Sequence, residues 1–240
     1  MLQKYICEML QQNKIPFRPD LPLKLEIYLQ MLREWNTRMD LTTVQDDEGI
    51  VKRHFIDSLI VLRTGIIPEG GNLIDVGTGA GFPGLVLSMA RPDLQVTLLD
   101  SQQKRLDFLD AVCKETNCTN AVTRHARAED GAHCKELREK FAVATARAVA
   151  PLNVLCEYLL PFVCTGGFAL CWKGPSLAEE MEFGKKSANT LGGSIETPMP
   201  CSIAGTEWDH WILPIRKTAH TPTAYPRRAG IPKSKPLGRM

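Results

Sequence analysis

The chain has 240 residues, which is enough for one large domain or for a core domain with a terminal extension. Hydrophobic residues make up 44% and charged residues 23%, an ordinary globular composition, and no apolar run approaches the roughly 18 residues of a membrane span. The N-terminus lacks the apolar stretch of a signal peptide, and the eight cysteines form no Cys-x-x-Cys pair. We therefore expect a cytoplasmic protein with reduced thiols, no metal site and no membrane partner.

The net charge of +2 conceals an uneven distribution along the chain. The first 209 residues contain 22 basic and 27 acidic residues, whereas the rest contain no acidic residue. The basic residues of this last stretch are Arg216, Lys217, Arg227, Arg228, Lys233, Lys235 and Arg239. Such a tail is typical of a protein that binds a polyanion, although a solvated, disordered tail would have the same composition.

The first 65 residues have the apolar periodicity of helices. Ile6, Met9 and Leu10, and then Leu25, Tyr28 and Leu32, recur at spacings of three and four. Asp46 or Asp47 can begin a third helix that Gly65 can end. We predict a helical extension over residues 1–65.

Between residues 66 and 218 the pattern changes to an alternation of strands and helices. Strands are predicted at 72–77, 95–100, 121–126, 141–149, 166–174 and 207–217, and the last can be antiparallel. Pro83 can open one intervening helix, and Ser101 is the predicted N-cap of the next. This alternation predicts a Rossmann-like, doubly wound α/β fold with a mostly parallel sheet. The proline-rich tail, residues 219–240, is predicted to be extended rather than helical.

The strongest local signal is LIDVGTGAGFPG at residues 73–84, where a buried strand runs into a glycine-rich turn and then a helix. Gly77, Gly79 and Gly81 permit positive φ angles and close approach of a ligand to the backbone. Asp100 ends the next predicted strand, where its carboxylate can accept hydrogen bonds from both ribose hydroxyls of an adenosine. The pattern predicts an adenosine-containing cofactor.

Two cofactors are compatible with this loop. Starting at Gly79, the motif Gly-x-Gly-x-x-Gly with Asp100 about 20 residues later suits NAD. Starting at Asp75, an acidic residue precedes the first glycine by two positions and can hold the amino-acid end of S-adenosylmethionine, directly or through water. From the loop alone, both cofactors remain open.

Several separated stretches together resemble one known family, the RsmG (GidB) family. The stretches are DVGTGAGFPG at 75–84, LLDSQQKRLDFL at 98–109, RAE at 127–129, ARAVAPL at 146–152, WKG at 172–174, RHFIDSL at 53–59 and YPRRAGIPKSKPL at 225–237. Their order and spacing cover nearly the whole chain. One departure is visible: after Trp35-Asn36 the family pattern has Asn-Leu-Thr, whereas this chain has Asp40-Leu41-Thr42, which affects the loop after the second helix.

The resemblance implies a class I S-adenosylmethionine-dependent methyltransferase with an N-terminal helical extension, acting as a monomer in the cytoplasm. The expected substrate is 16S ribosomal RNA, free or in a small-subunit assembly particle, methylated at N7 of a guanine in the decoding-centre loop. S-adenosylhomocysteine would be the product. The implied cofactor contacts are Gly77, Phe82, Asp100, Ser101, Ala128, Glu129 and Arg147, to which the loop analysis adds Asp75, Gly79 and Gly81.

Other residues are candidates for contact with the RNA. His54, Asp57 and Ser58 are three to four residues apart on one predicted helix face, and Lys173 follows a strand at the sheet edge. These four are candidate substrate-positioning residues, although the first three could also form a mutually satisfied polar patch. Arg227, Arg228, Lys233 and Lys235 are the candidate phosphate contacts of the tail.

Two other function classes, an NAD-dependent oxidoreductase and a non-catalytic RNA-binding module, fit the sequence less well than a methyltransferase. An NAD-dependent oxidoreductase would need a downstream catalytic pair such as Tyr-x-x-x-Lys, but the fourth residue after Tyr158 is Phe162. A non-catalytic RNA-binding module would not need Asp75, three glycines and Asp100 together in an intact cofactor loop.

Overall fold

The computed structural model describes residues 1–208 and 210–238. The N-terminal extension begins with two helices, α1 (Leu2–Gln12) and α2 (Leu21–Asn36), which bury the apolar residues that predicted them. After α2, the Asn36 side chain accepts hydrogen bonds from the backbone N–H groups of Leu41 and Thr42 and donates one to the Thr42 carbonyl. The loop is therefore held by Asn36, so it does not depend on the residue at position 40.

The third predicted helix is present but irregular. It consists of α3 (Asp47–Ile50), a π-helical segment (Val51–Ile56), α4 (Asp57–Leu59) and a 3₁₀ segment (Ile60–Thr64). The Asp46 carboxylate caps its start by accepting from the Gly49 N–H at 2.6 Å, and Gly65 ends it with φ of 68°. Both predicted ends are confirmed, whereas the π-helical interior has no signal in the sequence.

A mixed eight-stranded sheet forms the core of the molecule. Its strands are β1 (Asn72–Val76), β2 (Gln95–Asp100), β3 (Ala121–His125), β4 (Phe141–Arg147), β5 (Val163–Lys173), β6 (Gly193–Ile195), β7 (Met199–Pro200) and β8 (Trp211–Lys217). The main order is β3-β2-β1-β4-β5-β8-β6, with β7 also paired to β8. The first five strands are parallel and β8 is antiparallel to β5, which confirms the predicted doubly wound arrangement.

Helices cover both faces of the sheet. After the extension they are α5 (Gly84–Ala90), α6 (Gln103–Glu115), α7 (Ala128–Gly131), α8 (Leu152–Leu159), α9 (Leu177–Thr190) and α10 (Ile231–Ser234), with a 3₁₀ turn at Leu160–Phe162. The N-cap of α6 is Gln102, one residue later than the predicted Ser101. Two hydrophobic clusters result: one joins the N-terminal helices, α5 and α6 to the sheet, and the other joins α8 and α9 to its opposite side.

The basic tail packs against the α8 side of the sheet, and α10 corrects the prediction that it would be extended throughout. Gly230, with φ of 84°, starts α10 and Pro232 occupies its first turn, where a missing N–H costs nothing. The Arg138 guanidinium donates to the carbonyls of Tyr225 and Thr221, at 2.8 and 2.9 Å, and so attaches the start of the tail to the core. Within the described residues, no helix is long and apolar enough to cross a membrane.

Candidate active site

A cavity of about 650 Å³ opens at the carboxyl ends of β1, β2 and β4. The strand order reverses direction between β1 and β4, and in open α/β sheets ligands bind at such a switch point. The cavity is lined by most of the predicted cofactor residues, namely Gly77, Gly79, Phe82, Asp100, Ser101, Ala128, Glu129 and Arg147. The tertiary structure thus brings these residues, from four separate stretches of the sequence, to one place.

Asp75 is a correction to the predicted set, because it lies behind the loop and not in the cavity. Its carboxylate is fully buried and accepts hydrogen bonds from the Thr78 hydroxyl at 2.7 Å, the Gly84 N–H at 2.9 Å and the Thr145 hydroxyl at 3.0 Å. Burial raises the pKa of Asp75, and these hydrogen bonds oppose that rise. Asp75 therefore supports the shape of the loop. Its burial argues against the predicted direct contact with the amino-acid end of a cofactor and leaves the predicted contact through water open.

The three glycines of the loop have different roles. All have positive φ: 71° at Gly77, 59° at Gly79 and 98° at Gly81. A Cβ at Gly81 would collide with the Tyr28 hydroxyl and come within 2.8 Å of Leu109, so this glycine is needed for packing rather than for cofactor contact. A Cβ at Gly79 would have no protein atom closer than 4.0 Å.

We predict that Gly79→Ala and Gly81→Ala will have separable effects. Gly79→Ala should fold, at a cost of about 1 kcal/mol for the left-handed backbone, and lose cofactor affinity because the methyl group disturbs the loop at the cavity. Gly81→Ala should lose thermal stability first, since its methyl group meets packed side chains. Thermal unfolding and calorimetric titration of both variants check this, and equal loss of stability in both would contradict it.

Asp100 ends β2 with its carboxylate at the cavity wall, 3% exposed. One oxygen accepts from the Gly79 N–H at 2.9 Å, and the other accepts from the Gln102 N–H at 2.9 Å. Arg105 lies 3.6 Å away and supplies a positive charge. Each carboxylate oxygen accepts one backbone hydrogen bond and can accept another, and Asp100 lines the cavity, which is compatible with the predicted role with a ribose.

The helical extension packs against the cofactor loop, a role that the sequence did not predict. Tyr28 of α2 is fully buried, donates a hydrogen bond to the Ala80 carbonyl, and stacks on Phe82 with 5.6 Å between ring centroids. Phe82 in turn stacks on His54, with centroids 4.5 Å apart. The predicted extension is therefore part of the site's construction.

Glu129, at the start of α7, connects the cavity to the tail. Its carboxylate accepts a hydrogen bond from the Gly230 N–H at 2.9 Å, and both Gly230 and Lys233 line the cavity. Helix α10 of the tail therefore begins at the cavity rim.

A second cavity, of about 410 Å³, adjoins the first. Its lining includes Asp57, Trp172, Lys173 and His210, and it shares His54, Arg147 and Ala148 with the first cavity. Arg147 ends β4 between the two. Its guanidinium donates to the Asp57 carboxylate at 2.7 Å and to the Arg53 carbonyl at 2.6 Å.

His54 is held in a neutral form at the boundary of the two cavities. Burial and the neighbouring positive charge of Arg147 lower the pKa of His54 to about 4. The neutral ring can then accept from Arg147 through Nδ1 at 3.1 Å and donate from Nε2 to the Thr42 hydroxyl at 2.7 Å. Ser58 is a correction: it is fully buried and donates to the His54 carbonyl, so it acts inside the helix and not on a substrate.

Asp57 joins two side chains of the second cavity. One carboxylate oxygen accepts from Arg147, and the other lies 3.0 Å from Nδ1 of His210. Burial alone would raise the pKa of Asp57, but the hydrogen bond from His210 and the charge of Arg147 lower it below its ordinary value. Trp172 donates to the Asp57 carbonyl at 2.8 Å, so its ring supports this cluster from the core. Lys173 pairs with Glu180 at 2.6 Å along the cavity wall.

Sequence comparisons place this site in a known family. The family model described as rRNA small subunit methyltransferase G matches residues 22–206. A protein of Alkaliphilus oremlandii named ribosomal RNA small subunit methyltransferase G is 43% identical over 210 residues, 88% of each chain. A protein of Clostridium perfringens with the same name is 42% identical over 236 residues, 98% of each chain. The chain belongs to the rRNA small subunit methyltransferase G family.

The fold agrees with this family membership. The 16S rRNA (adenine(1408)-N(1))-methyltransferase from Catenulisporales acidiphilia superposes with a TM-score of 0.51 at 14% identity, covering 63% of this chain and 87% of that one. At this identity the likeness concerns the fold alone, which is the class I methyltransferase fold. Among the residues that the structure describes, no group of three or more His, Cys, Asp or Glu side chains could hold a metal ion.

The predicted phosphate contacts of this family member divide into two groups. Arg228, Lys233 and Lys235 are exposed. Arg227 is a correction, because its guanidinium forms a bidentate ion pair with Glu157, at 2.6 Å to one carboxylate oxygen and 3.0 Å to the other, and Glu157 is fully buried. Arg227 therefore attaches the tail to α8. Arg239 lies outside the described residues.

Three residues of the site were missed at the level of sequence. Tyr28 and Thr145 look like ordinary members of an apolar helix face and of a buried strand, so periodicity assigns them to the core. His210 precedes the antiparallel strand β8, and nothing in its local sequence points to Asp57, 153 positions earlier. The one available signal for Thr145 is its hydroxyl group in an otherwise apolar predicted strand, two residues before Arg147.

Proposed function

We propose that this protein transfers a methyl group from S-adenosylmethionine to N7 of a guanine in the decoding-centre loop of 16S ribosomal RNA. The observation that supports the proposal most directly is the cavity at the sheet switch point, with Asp100 and Glu129 on its wall, in a chain of the rRNA small subunit methyltransferase G family. Family membership also argues against an NAD-dependent oxidoreductase. The intact cofactor loop argues against a non-catalytic RNA-binding module.

The residues present are suited to S-adenosylmethionine. The carboxylate of Asp100 can accept from the two ribose hydroxyls, and Ala128-Glu129 and Ser101 flank the space where an adenine would lie. The positive φ angles of Gly77 and Gly79 leave backbone exposed for the remainder of the ligand. When bound, S-adenosylmethionine supplies an electrophilic methyl group on a sulfonium.

The proposed reaction does not need a general base. Guanine N7 carries an unprotonated lone pair at neutral pH, so the protein's task is to align it with the methyl group. Neutral His54 and the Arg147–Asp57 pair stand where the two cavities meet. A cation that donated a hydrogen bond to N7 would block the nucleophile, so any contact between Arg147 and the base must use another atom of the purine.

The target base must reach the protein unpaired. The major groove of A-form RNA, where N7 lies, is too narrow for side chains, so a loop nucleotide or an extruded one is required. The second cavity lies next to the cofactor cavity, and its volume of about 410 Å³ is large enough for a purine. We propose that the protein acts in the cytoplasm as a monomer, on 16S ribosomal RNA either free or in an assembling particle.

Mass spectrometry of 16S ribosomal RNA from a strain that lacks the protein tests the proposed function. One 7-methylguanosine should disappear from the decoding-centre loop and return when the gene is restored. Purified protein should also restore it in vitro with S-adenosylmethionine and not with NAD. An unchanged methylation pattern would contradict the proposal.

The exposed cations of the tail are expected to bind RNA phosphate. Each phosphate neutralised on single-stranded RNA contributes roughly −0.7 to the slope of log affinity against log salt. Changing Arg228, Lys233 and Lys235 together to Ala should flatten this slope by up to about 2 units and raise the apparent KM for RNA.

The matched control for the tail variant changes three other exposed cations, Lys4, Arg18 and Lys135, to Ala. It removes the same charge but should leave the salt slope near that of wild type. Filter binding across a range of salt concentrations measures both. A tail variant that retains the wild-type slope would show that these cations do not contact phosphate.

A further inference from the structure

The second cavity contains a hydrogen-bonding pattern that no established role explains. Asp57 is 3% exposed, yet its carboxylate binds two polar groups that both line the cavity, the guanidinium of Arg147 and the imidazole of His210. A buried carboxylate that holds a donor and a ring nitrogen next to each other fixes their orientation. A ligand of this cavity would have to match the free N–H groups of Arg147 and the second ring nitrogen of His210.

The Asp57 carboxylate determines which face of His210 is an acceptor. Because a carboxylate only accepts, the hydrogen bond at 3.0 Å requires a proton on Nδ1 of His210. When the ring is neutral, Nε2 carries a lone pair. Within residues 1–208 and 210–238, the structure gives Nε2 of His210 no hydrogen-bond partner. In its neutral form His210, which lines the cavity, therefore has a ring nitrogen that can accept a hydrogen bond from a ligand.

The face of the His210 ring also makes a stacking contact. It stacks on Trp208, with centroids 5.7 Å apart and planes at 28°, and the Arg53 guanidinium covers the Trp208 ring at 4.6 Å. Stacking and the Asp57 hydrogen bond together limit rotation of the imidazole. An acceptor held in this way is preorganised for one ligand edge.

Arg147 offers the complementary donor. Its hydrogen bonds to the described residues use both N–H groups of one terminal nitrogen, toward Arg53 and Asp57, and one N–H of the other, toward His54. A guanidinium has five N–H groups, so the Nε–H and one terminal N–H remain. Arg147 lines both cavities, so these donors belong to a residue at the boundary between the cofactor cavity and the second cavity.

We propose that Arg147 and His210 identify the target base as guanine, Arg147 by donating to O6 and Nε2 of His210 by accepting from N1–H. This inference rests on the proposed function. O6 is adjacent to N7 on the purine ring, so a base held through O6 at Arg147 turns N7 toward the cofactor cavity while leaving its lone pair free. Adenine has a donor at position 6 and an acceptor at N1, so it opposes both contacts. Asp57 is the positioning residue for both groups.

Base analogues at the methylated nucleotide test the proposal. 2-Aminopurine has N7 and the 2-amino group but lacks O6 and the N1 proton, whereas inosine has O6 and N1–H but lacks the 2-amino group. Wild-type protein should methylate RNA that contains guanine or inosine at similar kcat/KM and RNA that contains 2-aminopurine much more slowly. A wild type that does not discriminate against 2-aminopurine would overturn the proposal without any variant.

The variant His210→Ala should lose part of this discrimination. Loss of one hydrogen bond, about 1 kcal/mol, lowers the guanine to 2-aminopurine ratio of kcat/KM roughly fivefold to tenfold, with the affinity for S-adenosylmethionine unchanged. His210→Gln, whose amide oxygen can accept, should recover part of the ratio. His220→Ala is the matched control, because His220 also pairs with a carboxylate, Glu139, at 2.7 Å, and is not among the residues that line either cavity.

The outcomes separate this proposal from the proposed function. If wild-type protein methylates no guanine N7 in 16S ribosomal RNA, the proposed function fails. If wild type is active and discriminates, but His210→Ala retains the wild-type ratio of guanine to 2-aminopurine, the assignment of His210 is wrong and the proposed function is unaffected. A variant with a reduced overall rate and an unchanged ratio also counts against the proposal, since that is the signature of a merely structural residue.

Discussion

Replacing Asp100 by Ala is expected to weaken S-adenosylmethionine binding by at least about a hundredfold. Two charge-assisted hydrogen bonds to ribose hydroxyls contribute on the order of 1.5–3 kcal/mol each, and every 1.4 kcal/mol is about a tenfold change in affinity. The change also removes the acceptor for the Gly79 N–H, which shapes the cofactor loop. Isothermal titration calorimetry measures the effect.

The control for Asp100 is Asp110→Ala. Asp110 is an exposed carboxylate on α6 that pairs with the Thr123 hydroxyl at 3.0 Å, away from the cavity. This variant should bind S-adenosylmethionine as wild type does. If Asp100→Ala also binds it with unchanged affinity, Asp100 has no part in the site.

Arg227→Ala is expected to cause the largest loss of stability among the tail variants, about 3–5 kcal/mol in the free energy of unfolding. Glu157 is fully buried on α8, and the guanidinium of Arg227 supplies its only charged partner among the described residues. Removing the guanidinium leaves a carboxylate without a counter-charge in the core. Chemical denaturation of the purified variant measures the difference.

Two further variants distinguish this mechanism from general damage to the tail. Arg228→Ala removes an exposed neighbouring cation and should change stability by no more than about 0.5 kcal/mol. Adding Glu157→Gln to Arg227→Ala should restore part of the lost stability, because the buried group becomes neutral and its amide oxygen can still accept from the backbone N–H of position 227. A double variant less stable than Arg227→Ala would contradict the explanation.

The tail illustrates how far composition can predict function. Seven basic residues without an acidic one indicated a tail that binds a polyanion. Three of the four candidate phosphate contacts are exposed. Composition could not show that Arg227 pairs with the buried Glu157, 70 positions earlier. Nor could it place Lys233 at the cavity rim, because that position depends on α10 and on the hydrogen bond from Gly230 to Glu129.

The sequence by itself determined the fold class and most of the cofactor cavity. Alternating strand and helix periods predicted the parallel strands, because hydrophobic burial follows local periodicity, and ends of parallel strands meet at one sheet edge. That rule is enough to bring the glycine loop, Asp100 and Arg147 together. Each of these residues lies at a strand end that can be recognised locally.

Only the tertiary structure decided which polar groups are available to a ligand. Asp75 and Asp100 look alike in sequence, yet Asp75 is enclosed by Thr78, Gly84 and Thr145, whereas Asp100 faces the cavity. The pairing of Asp57 with His210 likewise joins distant parts of the chain. Hydrogen-bond satisfaction depends on neighbours brought together by packing, and a local sequence pattern carries no record of them.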